Sequence, residues 1–234
     1  MAAILKRELH AYFFTPLGYI FLAVIFFFTG YFFFTYNLFG TTTDTSSLFG
    51  QLFTVALFTS PILTMRLLPE DRRLRIDRQL LASPISQYAV AIGKYLSALI
   101  VYAISISGAL LMVAVMSFYG RPDWPVVVGN YIGLLLLGCA LIAICLFLSS
   151  FTESQFIAVI CGFAASLALT LLDALSLRMG SGFMQDALLT ISFNNRYIPF
   201  TMGIFDIGGA IFFTSVAAMF VMLTAAVLEK RWWS

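Results

Sequence analysis

Residues 124–152 read WPVVVGNYIGLLLLGCALIAICLFLSSFT, a run without one charged side chain. A helix needs about 20 mostly apolar residues to cross the hydrocarbon of a bilayer, and this stretch exceeds that length. Working outward, the uncharged runs Leu17–Tyr36, with seven Phe, Thr45–Met65 and Tyr95–Gly120 precede it. Ser154–Leu172, with an extension past Asp173 to Leu177, and Ile207–Leu228 follow it. Six such runs take more than half of the 234 residues. The remainder is too small to surround them as buried helices of a water-soluble fold. Composition agrees: 61% of residues are hydrophobic, only 10% are charged, and 25 are Phe. A soluble domain carries about a quarter charged residues. A soluble enzyme, a disordered chain, a coiled coil and a small disulfide-stapled domain are thereby excluded. The expected fold class is an all-α polytopic membrane protein, residues 1–234 forming a single transmembrane domain.

Lys and Arg orient the spans, because basic residues concentrate on the cytoplasmic side. With the N-terminus inside, the inner set is Lys6, Arg7, Arg66, Arg72, Arg73, Arg75, Arg78, Lys94, Lys230 and Arg231, against Arg121, Arg178 and Arg196 outside. Both termini are expected to be cytoplasmic. In residues 1–16, Leu5, Leu9, Tyr12 and Pro16 fall near one helical face, and Lys6, Arg7 and His10 lie off it. That pattern predicts an interfacial elbow helix, which Pro16 redirects into the first span. The competing reading is a charged flank that only orients insertion.

The scarce charge is clustered. Residues 66–94 hold nine charged side chains, six basic and three acidic. Pro69 suits a first helical turn, where its missing N–H costs nothing. Glu70 and Asp71 complement the positive helix end. Leu67, Leu74 and Leu81 recur every seven residues, and Pro84 closes the stretch. The pattern predicts a short amphipathic cytoplasmic helix within a segment spanning 66–90. Its candidate coupling residues are Arg66, Glu70, Asp71, Arg72, Arg73, Leu74, Arg75 and Arg78, inserted into a groove of a cytoplasmic partner. The alternative is a loop laid on the membrane, with arginines at anionic headgroups. The extracytoplasmic loop 178–206 alternates Gly, Asn and Pro with short apolar pieces, including Phe183–Leu189, which suits a half-helix. It reads either as a substrate gate or as a structural cap, with Asp173, Arg196, Tyr197, Phe200, Gly203 and Asp206 as candidate gate or vestibule residues. Asp173 either pairs with Arg178 or lines the vestibule.

Several chemistries have no residues to carry them. No GxxxxGK[ST] motif is present, so ATP hydrolysis by that route is not expected in this chain. Cys139, Cys145 and Cys161 all fall within spans at spacings that match no metal signature, and His10 is the sole histidine. No catalytic residue, bound cofactor or metal is expected, and no basic patch marks a nucleic-acid partner. The spans lack a mid-membrane ionisable group of the kind ion-coupled transporters use, which argues for power supplied from outside the chain. Gly129 and Gly133 form a small-xxx-small step able to bring helices close, within the chain or between two chains. Gly208-Gly209 favours close approach or a kink at the start of the sixth span.

Taken in order, Leu5-Lys-Arg-Glu-Leu9, Tyr12-Phe13, Thr15-Pro16, Tyr19 and Gly30 resemble an ABC-2 type ABC-transporter permease, of the branch that includes gliding-motility-associated permease subunits. So do Leu63-Thr-Met-Arg66, Glu70-Asp-Arg-Arg73, Leu80-Leu81, Pro84, Gly93-Lys94, Phe200-Thr-Met-Gly203-Ile204, Asp206 and the ending Leu228-Glu-Lys-Arg-Trp232. The resemblance implies a six-helix subunit of type V exporter-like architecture in the bacterial cytoplasmic (inner) membrane. It implies a second permease chain, identical or related, and two ABC ATP-binding subunits that carry the ATP and Mg2+. A periplasmic accessory partner and contact with membrane lipid are compatible with it. The segment after span two would be the coupling helix, with Glu70, Asp71, Arg72 and Arg73 as the family's charged tract. The chain departs from the family pattern at Arg75 and Arg78, where Gly and Glu are usual, and at Arg196-Tyr197, where His-Phe is frequent. The function expected is a permease subunit of an exporter. The alternative is a non-transporting anchor or mechanical transmitter in an ABC-driven envelope machine.

Overall fold

The computed structural model describes residues 2–73, 87–118, 120–178 and 188–232. Among them there are helices and turns but no strand. Helix α1 is Ala2–Phe14 and α2 is Pro16–Phe32, which continues as a π-helical turn over Phe33–Leu38. Helix α3 is Ser46–Thr64, α4 is Pro69–Arg73 and α5 is Gln87–Met116. Helix α6 is Trp124–Ser149, α7 is Gln155–Arg178, α8 is Phe193–Thr201 and α9 is Ile207–Trp232.

Among the described residues, six stretches are long and apolar enough to cross a membrane: Pro16–Leu38, Ser46–Asp71, Gln87–Met116, Trp124–Ser149, Gln155–Ser176 and Ile207–Lys230. Each overlaps an uncharged run of the sequence, and the second continues past Met65 to Asp71. The main difference is the third, which begins at Gln87 and so draws Lys94 into the bundle. The chain is a multi-pass membrane protein.

Burial sorts the spans into a centre and a rim. In the most apolar stretch of the second and fourth spans 61% of residues are buried within the protein, against only 17% in the fifth. Phe156, Ile157, Ile160, Leu167, Leu171 and Leu175 of α7 are exposed. A row of that size is stable only against hydrocarbon or another apolar partner. Helix α6 is the hub, packing on α3, α5, α7, α8 and α9.

Close approach to α6 depends on absent side chains. A Cβ on Gly138 would lie 2.1 Å from the ring of Tyr102, whose hydroxyl donates to the Leu134 carbonyl at 3.0 Å. Tyr95 of α5 likewise donates to the Cys139 carbonyl, at 3.2 Å. The two tyrosines thus lie flat along α6 and bring α5 against it. Gly129 and Gly133 also work within the chain. Cβ atoms there would sit 3.1 Å from Gly203 Cα and 2.7 Å from Phe200 Cβ. The small-residue step seats α8 on α6.

Replacing Gly138 with Ala is expected to cost about 1–3 kcal/mol, since Tyr102 is buried and cannot withdraw. A Cβ added at Gly30 would meet nothing within 4 Å, so that position is expected to accept Ala without loss. Thermal unfolding of the two variants in detergent checks the contrast.

Candidate functional site

Six charged residues, Arg7, Glu8, Arg66, Glu70, Asp71 and Lys94, converge at one end of the bundle, the junction end. Helix α1 packs its Ile4, Glu8 and Tyr12 inward, four residues apart along one helical face. This face is rotated from the one expected: Leu5 and Leu9 are half-buried and Pro16 is exposed. Thr15 is extended, as a residue before proline prefers, and Pro16 opens α2. The chain therefore turns sharply here, and a Cβ at Gly18 would meet the Tyr12 carbonyl at 2.4 Å. Tyr12 in turn donates its hydroxyl to the Leu63 carbonyl at 2.7 Å, fixing α1 to the end of α3.

Lys94 is the centre of the junction. Its side chain is 1% exposed, and its ammonium meets Asp71 Oδ2 at 2.6 Å and Glu8 Oε1 at 3.1 Å. It also donates to the Leu67 carbonyl. An ammonium has three donors, and these three partners come from α1, α4 and the turn before α4. Arg7 closes the arrangement from outside, reaching Glu8 Oε1 at 2.6 Å and Asp71 Oδ2 at 3.4 Å. Arg66 donates to Glu70 and Thr15 and, at 2.8 Å, to the Ala11 carbonyl. That carbonyl lies in the last turn of α1, where a cation complements the helix end.

Burial would raise the Glu8 carboxyl, but Lys94 and Arg7 outweigh it and hold the group below its ordinary value of 4.5. For Arg7, the cost of burial is likewise outweighed by Glu8 and Asp71, which raise it. Burial also pushes the Tyr12 hydroxyl up, so it stays a neutral donor. The cluster thus pairs Arg7, Arg66 and Lys94 with Glu8, Glu70 and Asp71. A buried ion pair adds little net stability over an apolar replacement, but removing one partner strands a charge. The physical consequence is register: α1, the start of the charged segment and α5 are held in one relative position.

Of the expected coupling residues, the junction brings together Arg66, Glu70 and Asp71. The backbone of Arg72 and Arg73 completes α4, which also packs against α7. Leu74, Arg75 and Arg78, with the helix expected to run on to Leu81 and Pro84, lie outside the described residues. Sequence reasoning missed Glu8 and Lys94 as partners. Their signal was an acid in phase with Ile4 and Tyr12, and a lysine in phase with Ala91, Ala98 and Val101, all of which are buried.

The candidate gate residues gather at the opposite end around α8. Asp173 lies beside Ser192 and the Asn194 backbone at the start of α8, and its buried Oδ1 has no hydrogen-bond partner among the described residues. The side chain of Arg178, the partner expected for it, is outside the described set. Arg196 lies 5.7 Å over the Phe212 ring. Tyr197 is buried and donates to the Phe49 carbonyl at 3.3 Å. Phe200 is fully buried in the glycine seat, Gly203 turns the chain at φ +74, and Asp206 caps α9 through the Gly208 and Gly209 amides at 3.0 and 2.9 Å. In this conformation α8 is a packed cap. The half-helix expected at Phe183–Leu189 lies largely outside the described residues. Among those residues no group of three His, Cys, Asp or Glu forms a metal-sized cluster.

Lys94→Met is expected to lower stability by about 3–5 kcal/mol, because Glu8 and Asp71 lose their buried cation. Glu8 sets a pH dependence. Its folded value is lowered, so its stabilisation is complete above 4.5 and is lost as pH falls through the folded value. The difference in melting temperature between wild type and Glu8→Gln should therefore shrink on acidification.

No family model matches the chain, and comparison with curated proteins returned no match.

Proposed function

We propose that this chain is the transmembrane permease subunit of an ATP-driven ABC exporter in a bacterial cytoplasmic membrane. In this reading its termini are cytoplasmic, and it pairs with a second permease chain and with two separate ATP-binding subunits. The observation that carries the reading is the junction. The root of the charged segment, at Arg66, Glu70 and Asp71, is tied by buried charge to the elbow helix and to α5. A push on that segment is therefore delivered to three elements at once instead of being lost in a loose loop. The excess of Lys and Arg on the same side supports a cytoplasmic location for it. ATP and Mg2+ belong to the partner, and this chain supplies the two packings between which cassette closure shifts the population.

A second reading is favoured by the opposite end. There Tyr197 and Phe200 are buried and α8 closes the bundle with apolar contacts. A chain closed in this way also suits a non-transporting anchor that passes cassette motion to an envelope partner. ATP-dependent flux after reconstitution with the cassette separates the two: substrate movement supports the exporter, and ATP turnover without flux supports the transmitter.

Charge reversal of Arg72 and Arg73 to Glu should reduce copurification of the cassette subunit and its stimulated ATPase activity about tenfold or more, since opposed charges at a contact cost several kcal/mol. Undiminished assembly and stimulation would sink the coupling assignment.

A further inference from the structure

Span two contains a proline where a membrane helix can least conceal one. Pro61 lies inside α3 and lacks the N–H that would bond the Leu57 carbonyl one turn earlier. In hydrocarbon, a freed carbonyl has no water to turn to. Two hydroxyls supply what the backbone does not. Ser60 of the same helix donates to the Leu57 carbonyl at 3.2 Å, and Ser166 of α7 donates to it at 2.7 Å. Leu57, Ser60 and Ser166 are all buried.

The surrounding contacts fit the same purpose. A Cβ on Gly162 would fall 2.6 Å from Pro61 Cβ, so the missing side chain at Gly162 receives the proline ring. Phe163 stacks on Phe58 with ring centroids 6.3 Å apart. Gly162, Phe163 and Ser166 share one face of α7, the span whose most apolar stretch is only 17% buried. The least embedded span therefore grips α3 at its one interrupted turn.

The position of that turn gives the grip its meaning. Beyond Pro61, within ten residues of sequence, lie Leu63, which anchors Tyr12, and Arg66, Glu70 and Asp71 of the charge junction. Before it, α3 runs to Phe49 and Ser46, which bond Tyr197 and the Thr201 carbonyl of the α8 cap. Pro61 thus divides α3 into a part fixed to the junction and a part fixed to the cap. We infer that α3 is hinged at Pro61 and that Ser166 of α7 is the clasp that holds the hinge in its present angle. When the clasp opens, the end of α3 beyond Pro61, with the turn that leads into α4, changes its angle to the part fixed to the cap. That this motion relays ATP-driven force rests on the proposed function above; the hinge itself does not.

Hydrogen exchange on the full chain in lipid nanodiscs, with no ATPase present, tests the hinge separately from that reading. Ser166→Ala should raise exchange at amides 62–68 about fivefold or more while amides 48–56 stay unchanged. In a Pro61→Ala background the Leu57 carbonyl regains a backbone donor, so adding Ser166→Ala should change exchange less than about twofold. An equal rise in both backgrounds, a rise spread over the whole of α3, or no rise in the wild-type background would overturn the inference.

Discussion

The ammonium of Lys94 is the constraint around which the junction end is organised. A lysine is almost never fully buried unless it is paired, and here its three donors are spent on Glu8, Asp71 and the Leu67 carbonyl. The partners arrive from two separate stretches of the chain, Glu8 from α1 and Leu67 with Asp71 from the start of the charged segment. Helix α1 therefore cannot pack elsewhere, and the start of the charged segment cannot leave α3 at another angle, without stranding a charge in a low-dielectric site. Apolar packing alone, sliding along six greasy helices, would not fix that register.

The two ends of the bundle solve the same problem by different means. At the junction end the elements are pinned by charge, which is directional and costly to break. At the other end they are seated by absent side chains: Gly129, Gly133 and Gly209 let α8 approach α6 and α9, with Phe200 filling the space. Between them α3 is interrupted at Pro61. A charge-pinned joint, a packed cap and an intervening proline give α3 a point of weakness that the interior of α6 does not have.

The spans are legible in the sequence because the bilayer imposes length and excludes charge, and both are local properties. Thr45–Met65 and Ile207–Leu228 match their helices closely for that reason. The faces are less legible. The leucines of α1 suggest one buried face, yet Glu8 lies on the buried side because Lys94, distant in sequence, compensates it. Lys94 resembles a flanking charge because its uncharged run starts one residue later, while the helix itself begins at Gln87. Gly129 and Gly133 announce close packing, but the partner, α8, is a short helix with no periodic apolar signal. Ser166 and Leu57 meet only because Pro61 frees a carbonyl, a relation that needs the fold to be seen.

The most direct test of the account is a double-mutant cycle between Glu8→Gln and Lys94→Met, read by equilibrium unfolding in detergent. If the buried pair registers α1 against α5, the two substitutions should be coupled by about 1–3 kcal/mol, the double variant losing less than the sum of the singles. Additivity within about 0.5 kcal/mol would mean that the two groups do not depend on each other, and would contradict the junction as the element that fixes the structure.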